Sequence, residues 1–556
     1  MTTRMGPARA SGMKHVLIAA ALGLAFASAA AQDCAEQSIE GAFLSSSGTP
    51  LAAVVIKDGM VVRTSTEASA PSRTAASDPC AITLPEGAVV LPGLTDGHAH
   101  LLGIGLREMT PNLEGTASIA DLQDRLRAAA ADTPRGAIVG RGWIETGWPE
   151  GRMPTRADLD AVVEDRAVLL TRADGHALVA NSTALWVAGI RRDTPDPEGG
   201  RIVRDAEGRA TGVLVDAAMG LVADLEPKLT TARRREALGR GAALYAARGW
   251  TGLHDMSVDA EDVPLIADLA RRGALPLRVW SYLTPEAAVG IEPGCDATGL
   301  ACVQGVKLYV DGALGSRGAL LDEPYADEPG TRGLQLVTED RAKSIYRDAR
   351  ARGLQVTTHA IGDAGNRLVL DWYADTLDAA DRPRIEHAQI LDPRDIPRFA
   401  RQGVIASMQP SHAIGDLRFA PDRLGDARLD GAYAWASLRG TGAVVVGGSD
   451  APVEVGDPRI ELFAATKRRA LDGFQGGNWR AREALSERAA LRLFTTAPAY
   501  AVGEEDRLGS IEPGYAADLS VFCGDPFGGP EAATPLFTMI GGEVVSGDVA
   551  AECPDQ

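Results

Sequence analysis

The sequence predicts an α/β protein: a closed (β/α)8 barrel, or TIM barrel, with a small β-sandwich domain built from both chain ends. Apolar or β-branched runs of strand length alternate with helical stretches rich in Ala, Arg, Leu and Glu, and repeated strand–helix units are typical of a parallel sheet. These runs occupy residues 167–171, 251–254, 277–283, 305–311, 354–359, 384–390, 403–409 and 443–448. Their number, and the polar residues at their C-terminal ends, favour closure of the sheet into a barrel.

The two ends of the chain have a different character, which predicts the β-sandwich domain. Residues 51–64 read as two short strands joined by an Asp-Gly turn that is typical of a hairpin. Residues 517–545 contain similar short strand-like runs. We therefore assign residues 32–91 and 506–556 to one domain in which the two ends pair.

The barrel is predicted to span residues 92–505 and to carry an insertion. Two stretches within this span, 103–165 and 186–235, exceed the usual length of a connection between a strand and a helix. We expect an insertion near 103–235 that covers the mouth of the barrel. The reactive groups of such barrels lie at that mouth, where the strands end.

Residues 1–31 read as a secretory signal peptide. Basic residues precede an apolar run at 16–27, which is too short to span a membrane comfortably, and three alanines close the segment. We expect cleavage after Ala31 and a periplasmic or secreted protein. No membrane span is expected in the mature chain, because no later segment reaches about 18 uninterrupted apolar residues.

The charge of the chain bears on its partners. The 556 residues carry a net charge of −19, from 56 Lys and Arg against 75 Asp and Glu. So acidic a surface repels nucleic acid and anionic membranes. The sequence therefore predicts a small-molecule substrate and no nucleic acid partner. The oligomeric state stays open, with a homodimer among the options.

All six cysteines follow the predicted cleavage site, and export permits disulfides. No two of them form a Cys-x-x-Cys pair, so a structural zinc or redox motif is not indicated. Pairing between neighbours along the chain predicts three local disulfides: Cys34–Cys80, Cys295–Cys302 and Cys523–Cys553.

The candidate chemistry centres on His98 and His100, which follow an apolar stretch at 87–91. Residues i and i+2 of a strand point to the same face, so both imidazoles can reach one metal ion. Four further candidate ligands lie at or near the C-terminal ends of later strand-like runs. They are Lys307, His359, His387 and Asp450.

The candidate ligands indicate which metal ions to expect. Four histidines and one aspartate suit zinc, and also manganese or iron. Lys307 is the exception, because a protonated lysine repels cations. A lysine desolvated inside a barrel loses its proton readily. Its neutral amine could then take up carbon dioxide and become a carbamate that bridges two metal ions. The expected cofactors are two divalent ions and a Lys307 carbamate.

These residues fall within motifs that follow one another along the chain. The motifs include Pro-Gly-Leu-Thr-Asp-Gly-His-Ala-His at 92–100, Gly-Arg-Gly-Trp at 140–143, Asp-Gly-His at 174–176, Thr-His-Ala-Ile-Gly-Asp at 358–363, Glu-His-Ala at 386–388, Gly-Ser-Asp at 448–450 and Gly-Ser-Ile-Glu-Pro-Gly at 509–514. In this order they resemble the amidohydrolase superfamily over nearly the whole mature chain. The branch they resemble most is the N-substituted formamide deformylase-like, or amidohydrolase 3, group.

The resemblance implies a binuclear metal centre and a reaction. The implied ligands are His98, His100 and Asp450 for one metal, a bridging Lys307 carbamate, and His359 with His387 for the second metal. A metal-activated hydroxide would attack the amide-type C–N bond of a small N-acyl or N-formyl substrate. Asp450 would be catalytic as well, passing the proton of the nucleophile to the leaving amine. The implied enzyme is a hydrolase of C–N bonds other than peptide bonds.

A second group of residues is expected to contact the substrate. His176, in Asp-Gly-His after a strand-like run, is a candidate for catalysis or for contact with the substrate or oxyanion. Trp143, on the insertion with Trp148, is equally compatible with an apolar substrate wall and with packing of the insertion. Asp311 and Gln409 complete the candidate substrate-binding set.

Two alternative functions stay open. One is a mononuclear deaminase of a ring amine, in which Lys307 is not carboxylated, or a cyclic-amide hydrolase. The other is a periplasmic ligand-binding barrel that does not turn its ligand over. The complete set of candidate metal ligands counts against this second alternative, because loss of one ligand would be the simplest sign of a degenerate site.

Overall fold

The computed structural model describes residues 35–45, 50–66, 80–476 and 479–554. The predicted signal peptide lies outside the described residues, so cleavage after Ala31 stays a prediction. Within the described ranges, no helix is long and apolar enough to cross a bilayer.

Three β-sheets and the helices packed on them make up this part of the chain. The strands are β1 (Gln37–Leu44), β2 (Pro50–Lys57), β3 (Met60–Ser65), β4 (Ala81–Thr83), β5 (Ala88–Pro92), β6 (Leu94–Ala99), β7 (Ile138–Trp143), β8 (Val168–Arg172), β9 (Ala177–Ala180), β10 (Gly200–Arg204), β11 (Ala210–Asp216), β12 (Trp250–Val258), β13 (Arg278–Leu283), β14 (Gly294–Cys295), β15 (Ala301–Tyr309), β16 (Gln355–Ala360), β17 (Arg384–His387), β18 (Ile405–Met408), β19 (Val445–Gly447), β20 (Leu519–Gly524), β21 (Ala533–Ile540) and β22 (Glu543–Gly547). The α-helices are α1 (Leu101–Met109), α2 (Ile119–Asp132), α3 (Arg156–Asp160), α4 (Ser182–Val187), α5 (Thr231–Arg248), α6 (Val263–Arg271), α7 (Glu339–Ala351), α8 (Asp363–Thr376), α9 (Ile396–Gln402), α10 (Pro410–Asp416), α11 (Ala420–Leu424), α12 (Trp435–Gly440), α13 (Pro458–Lys467), α14 (Glu487–Leu493) and α15 (Thr496–Ala501).

Eight parallel strands form the central barrel, in the order β6, β12, β13, β15, β16, β17, β18 and β19. The first and last strands meet just beyond β19. Asp450 N donates to His98 O at 2.6 Å, and His100 N donates to Ala451 O at 2.8 Å. Gly448 permits this approach, because a Cβ at that position would lie 2.5 Å from His98 N. The predicted (β/α)8 barrel is therefore confirmed.

Helix α5 shows how local sequence sets the limits of a barrel helix. It begins after Thr230, whose side chain accepts a hydrogen bond from Arg233 N and so satisfies one of the free amides of the first turn. It ends at Gly249, where φ is 103°, a conformation that glycine adopts without steric cost. Its buried residues recur at helical spacing and so form one apolar face. This face packs against the barrel, including the next strand, β12.

A separate five-stranded sheet, in the order β10, β11, β9, β8 and β7, forms the insertion. Apolar clusters cover both of its faces. The run at 167–171, which the sequence pattern groups with the barrel strands, is β8 of this sheet, so that grouping was wrong. The physical reason is the short connection to β9, which returns antiparallel beside β8. Parallel barrel neighbours require a much longer crossover.

Strands from both chain ends form the third sheet, in the order β22, β21, β20, β5, β1, β2 and β3, with β4 paired to β1. The N-terminal and C-terminal parts join where β5 pairs antiparallel with β20. Its strands contribute to one apolar core. Val61 on β3 also contacts the segment before β20: Val61 N donates to Tyr515 O at 2.8 Å, and Gly514 N donates to Val61 O at 2.9 Å. The predicted pairing of the two chain ends is confirmed.

Two of the three predicted disulfides are present. Cys295 on β14 bonds to Cys302 on the neighbouring β15. Cys523 on β20 bonds to Cys553 near the C-terminal end and so ties that end to the third sheet. Cys34 lies outside the described residues, and its pairing with Cys80 stays a prediction.

Candidate active site

The barrel strands end at a cavity of about 780 Å³ between the barrel, the insertion and helix α10. All six predicted metal ligands line it: His98, His100, Lys307, His359, His387 and Asp450. They come from β6, β15, β16 and β17 and from the residues after β19. The insertion supplies a second set of polar side chains, among them Arg141, Arg172, Asp174 and His176.

His98 and His100 both direct Nδ1 away from the cavity. His98 Nδ1 donates to Glu386 Oε2 at 2.6 Å, and His100 Nδ1 donates to Met256 O at 2.8 Å. These acceptors assign the proton of each neutral ring to Nδ1, which leaves a lone pair on Nε2. Burial lowers the pKa of His100, which favours its neutral form.

The two Nε2 atoms face the same carboxylate oxygen. Asp450 Oδ1 lies 3.3 Å from His98 Nε2 and 3.0 Å from His100 Nε2. Two imidazole lone pairs and a carboxylate oxygen repel one another at these distances unless a positive charge lies among them. A metal cation would supply that charge, and nitrogen and oxygen atoms of this kind are the ligands that zinc takes in proteins.

Lys307 is buried beside these ligands. Its Nζ lies 3.4 Å from His98 Nε2 and 4.8 Å from the centroid of the Tyr309 ring. Burial lowers the pKa of Lys307 to about 8. Near pH 8, a substantial fraction of the protein molecules therefore has Lys307 as a neutral amine. This is the form that can react with carbon dioxide or bind a metal.

His359 and His387 complete the cluster. Their ring centroids lie 4.4 Å apart, and the His387 ring lies 4.9 Å from that of His98. Both are buried, yet within the described part of the chain His359 Nε2 and His387 Nδ1 have no hydrogen-bond partner. Asp311 Oδ1 lies 3.5 Å from His359 Nε2. Burial lowers the pKa of both rings well below the usual histidine value, so both are neutral. Buried, unpartnered ring nitrogens are expected of metal ligands.

The donor set fits a divalent metal. One candidate ligand atom from each of His98, His387 and Asp450 lies within 4.8 Å of the other two. His387 and Asp450 also have positive φ angles, 72° and 60°. Each such conformation costs on the order of 1–3 kcal/mol and is typical of functional sites, where the surrounding structure holds it in place.

Glu386 and Arg384, on β17, support the cluster from inside the barrel. Both side chains have no exposed surface. Glu386 Oε1 accepts from Arg384 Nε at 2.9 Å and from the Thr357 hydroxyl, and Oε2 accepts from His98 Nδ1 and from Arg384 Nη2. Burial alone would raise the pKa of Glu386, but Arg384 and His98 hold it well below the usual value. The carboxylate therefore orients His98 so that Nε2 faces the cavity.

The sequence pattern did not reveal this ion pair. It predicted a role for His387 but none for Arg384 or Glu386. A signal was present: Arg384 and Glu386 are two oppositely charged residues at i and i+2 of a short run that reads as a barrel strand. Such residues share one face of a strand, and charges inside a buried strand are rare unless they are paired. The pattern predicts a buried ion pair, although it cannot tell which histidine the pair contacts.

His176 is brought to the cavity by the insertion. Its Nδ1 lies 2.7 Å from Asp216 Oδ1, at the end of β11, and its ring centroid lies 5.9 Å from that of His359. Burial lowers the pKa of His176, but the carboxylates of Asp216 and Asp174 outweigh this effect and raise it. His176 thus lies across the cavity from the metal-ligand cluster as a candidate donor to substrate.

Three predicted substrate contacts do not line the cavity. Trp143 is fully buried in the core of the insertion, and its Nε1 donates to Leu170 O at 2.7 Å, so its role is packing. Asp311 is fully buried and accepts backbone hydrogen bonds from Leu320 and from two residues after β16, which ties two loops together. Gln409 is buried at the start of α10. In each case, the sequence pattern did not indicate that the side chain is buried in the protein core and not exposed to the cavity.

Comparison with known proteins agrees with this geometry. YtcJ of Bacillus subtilis (strain 168) is 34% identical over 505 residues, which cover 89% of this chain and 95% of the relative. The N-substituted formamide deformylase of Arthrobacter pascens is 27% identical over 503 residues, which cover 85% and 90% of the two chains. A crystal structure of an uncharacterized metal-dependent hydrolase from Pyrococcus horikoshii OT3 matches with a TM-score of 0.72 and 27% identity, covering 88% of this chain and 98% of that one.

The family itself follows from the extent of the sequence match. The sequence model of the amidohydrolase family matches residues 86–546, which include the whole barrel, the insertion and much of the third sheet. The cluster of buried metal-ligand candidates stands at the ends of the barrel strands, where enzymes with this fold carry their reactive groups. The chain therefore belongs to the amidohydrolase family, and its fold is that of a metal-dependent hydrolase.

Proposed function

We propose that this protein is an exported, metal-dependent hydrolase that cleaves the amide-type C–N bond of a small N-acyl or N-formyl compound. The observation that carries the proposal is the cluster of six candidate ligands, in which His359 Nε2 and His387 Nδ1 are buried without a hydrogen-bond partner in the described chain. A ligand-binding protein without catalysis would not need this concentration of neutral imidazoles beside a carboxylate.

The proposed metal site divides between two ions. His98, His100 and Asp450 would hold one, and His359 with His387 would hold the other. Zinc suits these donors best, and manganese or iron would also fit. When bound, the ions would make water nucleophilic at neutral pH and polarise the carbonyl of the substrate. For the Lys307 bridge, the neutral amine would add to carbon dioxide and release one proton, which gives a carbamate anion.

The residues of the chain would then move the protons. Hydrolysis adds the oxygen of water to the acyl carbon and breaks the C–N bond. One proton of the water goes to the leaving nitrogen, and the other is lost from the new carboxylic acid to the amine or to solvent, so the products at neutral pH are a carboxylate and an ammonium ion. Asp450, whose Oδ1 faces the cluster, would accept a proton from the water and return it to the leaving nitrogen. That return is needed because an amide anion is a very poor leaving group. His176, held by Asp216, would donate to the carbonyl oxygen as negative charge develops there.

Two observations support a small N-acyl or N-formyl substrate. The cavity of about 780 Å³ suits a small molecule. The Arthrobacter pascens relative is named as a deformylase of N-substituted formamides, which supports an N-acyl or N-formyl substrate here.

Export to the periplasm or outside the cell is proposed from the leader-like residues 1–31. It is supported by two disulfides, since disulfides persist in oxidising compartments.

The test is amine release by the zinc-loaded mature protein from a panel of N-formyl, N-acetyl, long-chain N-acyl and N-acyl-amino-acid substrates. Metal content is measured on the same sample. Release from one series supports C–N hydrolysis and identifies the acyl group. No release, with two metals bound, would contradict the proposal and favour cyclic amides or ring deamination. One bound metal with deamination would favour the mononuclear alternative.

A further inference from the structure

Most charged side chains around the cavity already have a partner within the protein. Asp174 accepts from Arg172 Nη1 at 2.5 Å, and Glu114 accepts from Arg107 Nη1 at 3.0 Å. Arg172 has a second carboxylate partner, because its Nε donates to Glu145 Oε2 at 2.9 Å. Arg418, which also lines the cavity, pairs with Asp472 at 2.5 Å. The positive charges of Arg107, Arg172 and Arg418 are therefore already paired with carboxylates of the protein.

Arg141 is different. It stands near the end of β7 and lines the cavity. Its Nη2 donates to Ala173 O at 2.9 Å, but its Nε is buried without a partner. Within the described ranges, no carboxylate oxygen lies within 4.0 Å of its guanidinium. Gly175 makes room for the guanidinium, because a Cβ there would lie 3.1 Å from Arg141 Nη2.

Arg141 lines the same cavity as the metal-ligand cluster. Burial lowers the pKa of Arg141. Carboxylates act in the opposite direction and raise this pKa, with the strongest effect from Asp450, followed by Asp174. Arg141 is partly buried, and its Nε has neither water nor, in the described chain, a protein acceptor. Leaving a charged N–H group without an acceptor is costly to the free protein. A ligand that brings a carboxylate would remove that cost and could accept two parallel N–H bonds from the guanidinium.

We propose that Arg141 binds a carboxylate of the substrate, so that the enzyme selects N-acyl amino acids over neutral amides. The remaining walls fit the rest of such a molecule, since Ile144, Leu314 and Phe419 give the cavity an apolar side. This inference rests on the proposed amide hydrolysis for its reaction, but the recognition of a carboxylate can be measured without turnover.

The experiment compares two substrates that differ only in the carboxylate. An N-acyl phenylalanine is compared with the matching N-acyl phenethylamine, with the acyl group chosen from the panel above and both enantiomers of the acid. The wild-type enzyme should show a kcat/KM at least about 10-fold higher for one enantiomer of the acid. Arg141→Gln should lower kcat/KM for the acid by about 10- to 100-fold, the range for loss of charge-assisted hydrogen bonds, and should change that for the phenethylamide less than about threefold.

The matched control is Arg209→Gln. Arg209 is an exposed arginine on the same insertion, and it pairs with Asp205 at 2.9 Å. This variant should leave the preference for the acid unchanged. Thermal melting identifies variants that do not fold. If Arg141→Gln fails to fold, Arg141→Lys keeps the charge but lacks the paired N–H groups, and it should weaken only the reaction of the acid.

Binding separates this inference from the proposed function. N-benzylphenylalanine and N-benzylphenethylamine are secondary amines with no amide to cleave, and their binding to the metal-loaded protein is measured by calorimetry. Tighter binding of the acid, lost in the Arg141 variant, supports the carboxylate site even if every amide in the panel is inert. Equal binding of both probes, or an Arg141 variant that keeps the preference, would overturn the inference whatever the activity.

Discussion

Replacement of Glu386 by glutamine tests whether this carboxylate supports the metal site. The two carboxylate oxygens receive four donors, from Thr357, His98 and two nitrogens of Arg384. A glutamine side chain can offer an oxygen to two of these donors, but its NH2 group would face the other two. Arg384 would also lose its counter-charge while having no exposed surface.

The structure sets the size of the expected effect. Breaking a buried ion pair by removing one partner costs about 3–5 kcal/mol. A chain of roughly 500 residues has an unfolding entropy of about 1 kcal/mol/K, so Tm should fall by about 3–5 °C. Because Glu386 orients His98 through Nδ1, affinity for metal should fall by about 10- to 100-fold, as is usual for the partner of a ligating histidine.

The assay combines metal titration with thermal melting. Zinc affinity is measured by competition with a chelator, and Tm is measured with and without metal. Glu328→Gln is the control, because Glu328 is an exposed carboxylate that also pairs with arginine, in its case Arg201 and Arg317. Wild-type zinc affinity in folded Glu386→Gln would refute the argument that the carboxylate orients His98. An unchanged Tm would refute the assignment of Arg384 and Glu386 as a stabilising pair.

Three further predictions concern the proposed metal site and the disulfides. Asp450→Asn should keep most of the bound metal, since the amide oxygen can still contact it. Turnover should fall by at least about 100-fold, because proton transfer is lost. Equal loss of metal and turnover would show that Asp450 acts only as a metal ligand. Lys307→Ala should bind less metal by elemental analysis, and a short carboxylic acid should restore part of it. A variant with the metal content of the wild type would rule out the bridge. Replacement of Cys523 and Cys553 by serine should lower Tm by a few degrees, because closing a loop of 30 residues contributes about 3.5 kcal/mol; an unchanged Tm would show that the disulfide adds no stability.

The sequence by itself determined the features that depend on local periodicity and on strand ends. His98 and His100 share a face because they are two residues apart in a strand. Lys307, His359, His387 and Asp450 could be grouped without a structure, because parallel strands of a barrel all end at one mouth. Two disulfides were also within reach, since each joins cysteines close in sequence.

Only the tertiary structure decided the contacts that depend on how distant segments pack. Sequence pattern did not separate β8 from the barrel strands, because a short apolar run reads alike in both sheets. Trp143 turned out to fill the insertion core, since the direction of a side chain depends on what covers each face of its strand. His176 meets Asp216 because β9 and β11 pair antiparallel within the insertion. Arg141, on β7 of the same sheet, reaches the catalytic cavity only because the insertion lies against the barrel mouth. Pairing of this kind is set by the three-dimensional approach of chain segments, which residue spacing along the chain does not encode.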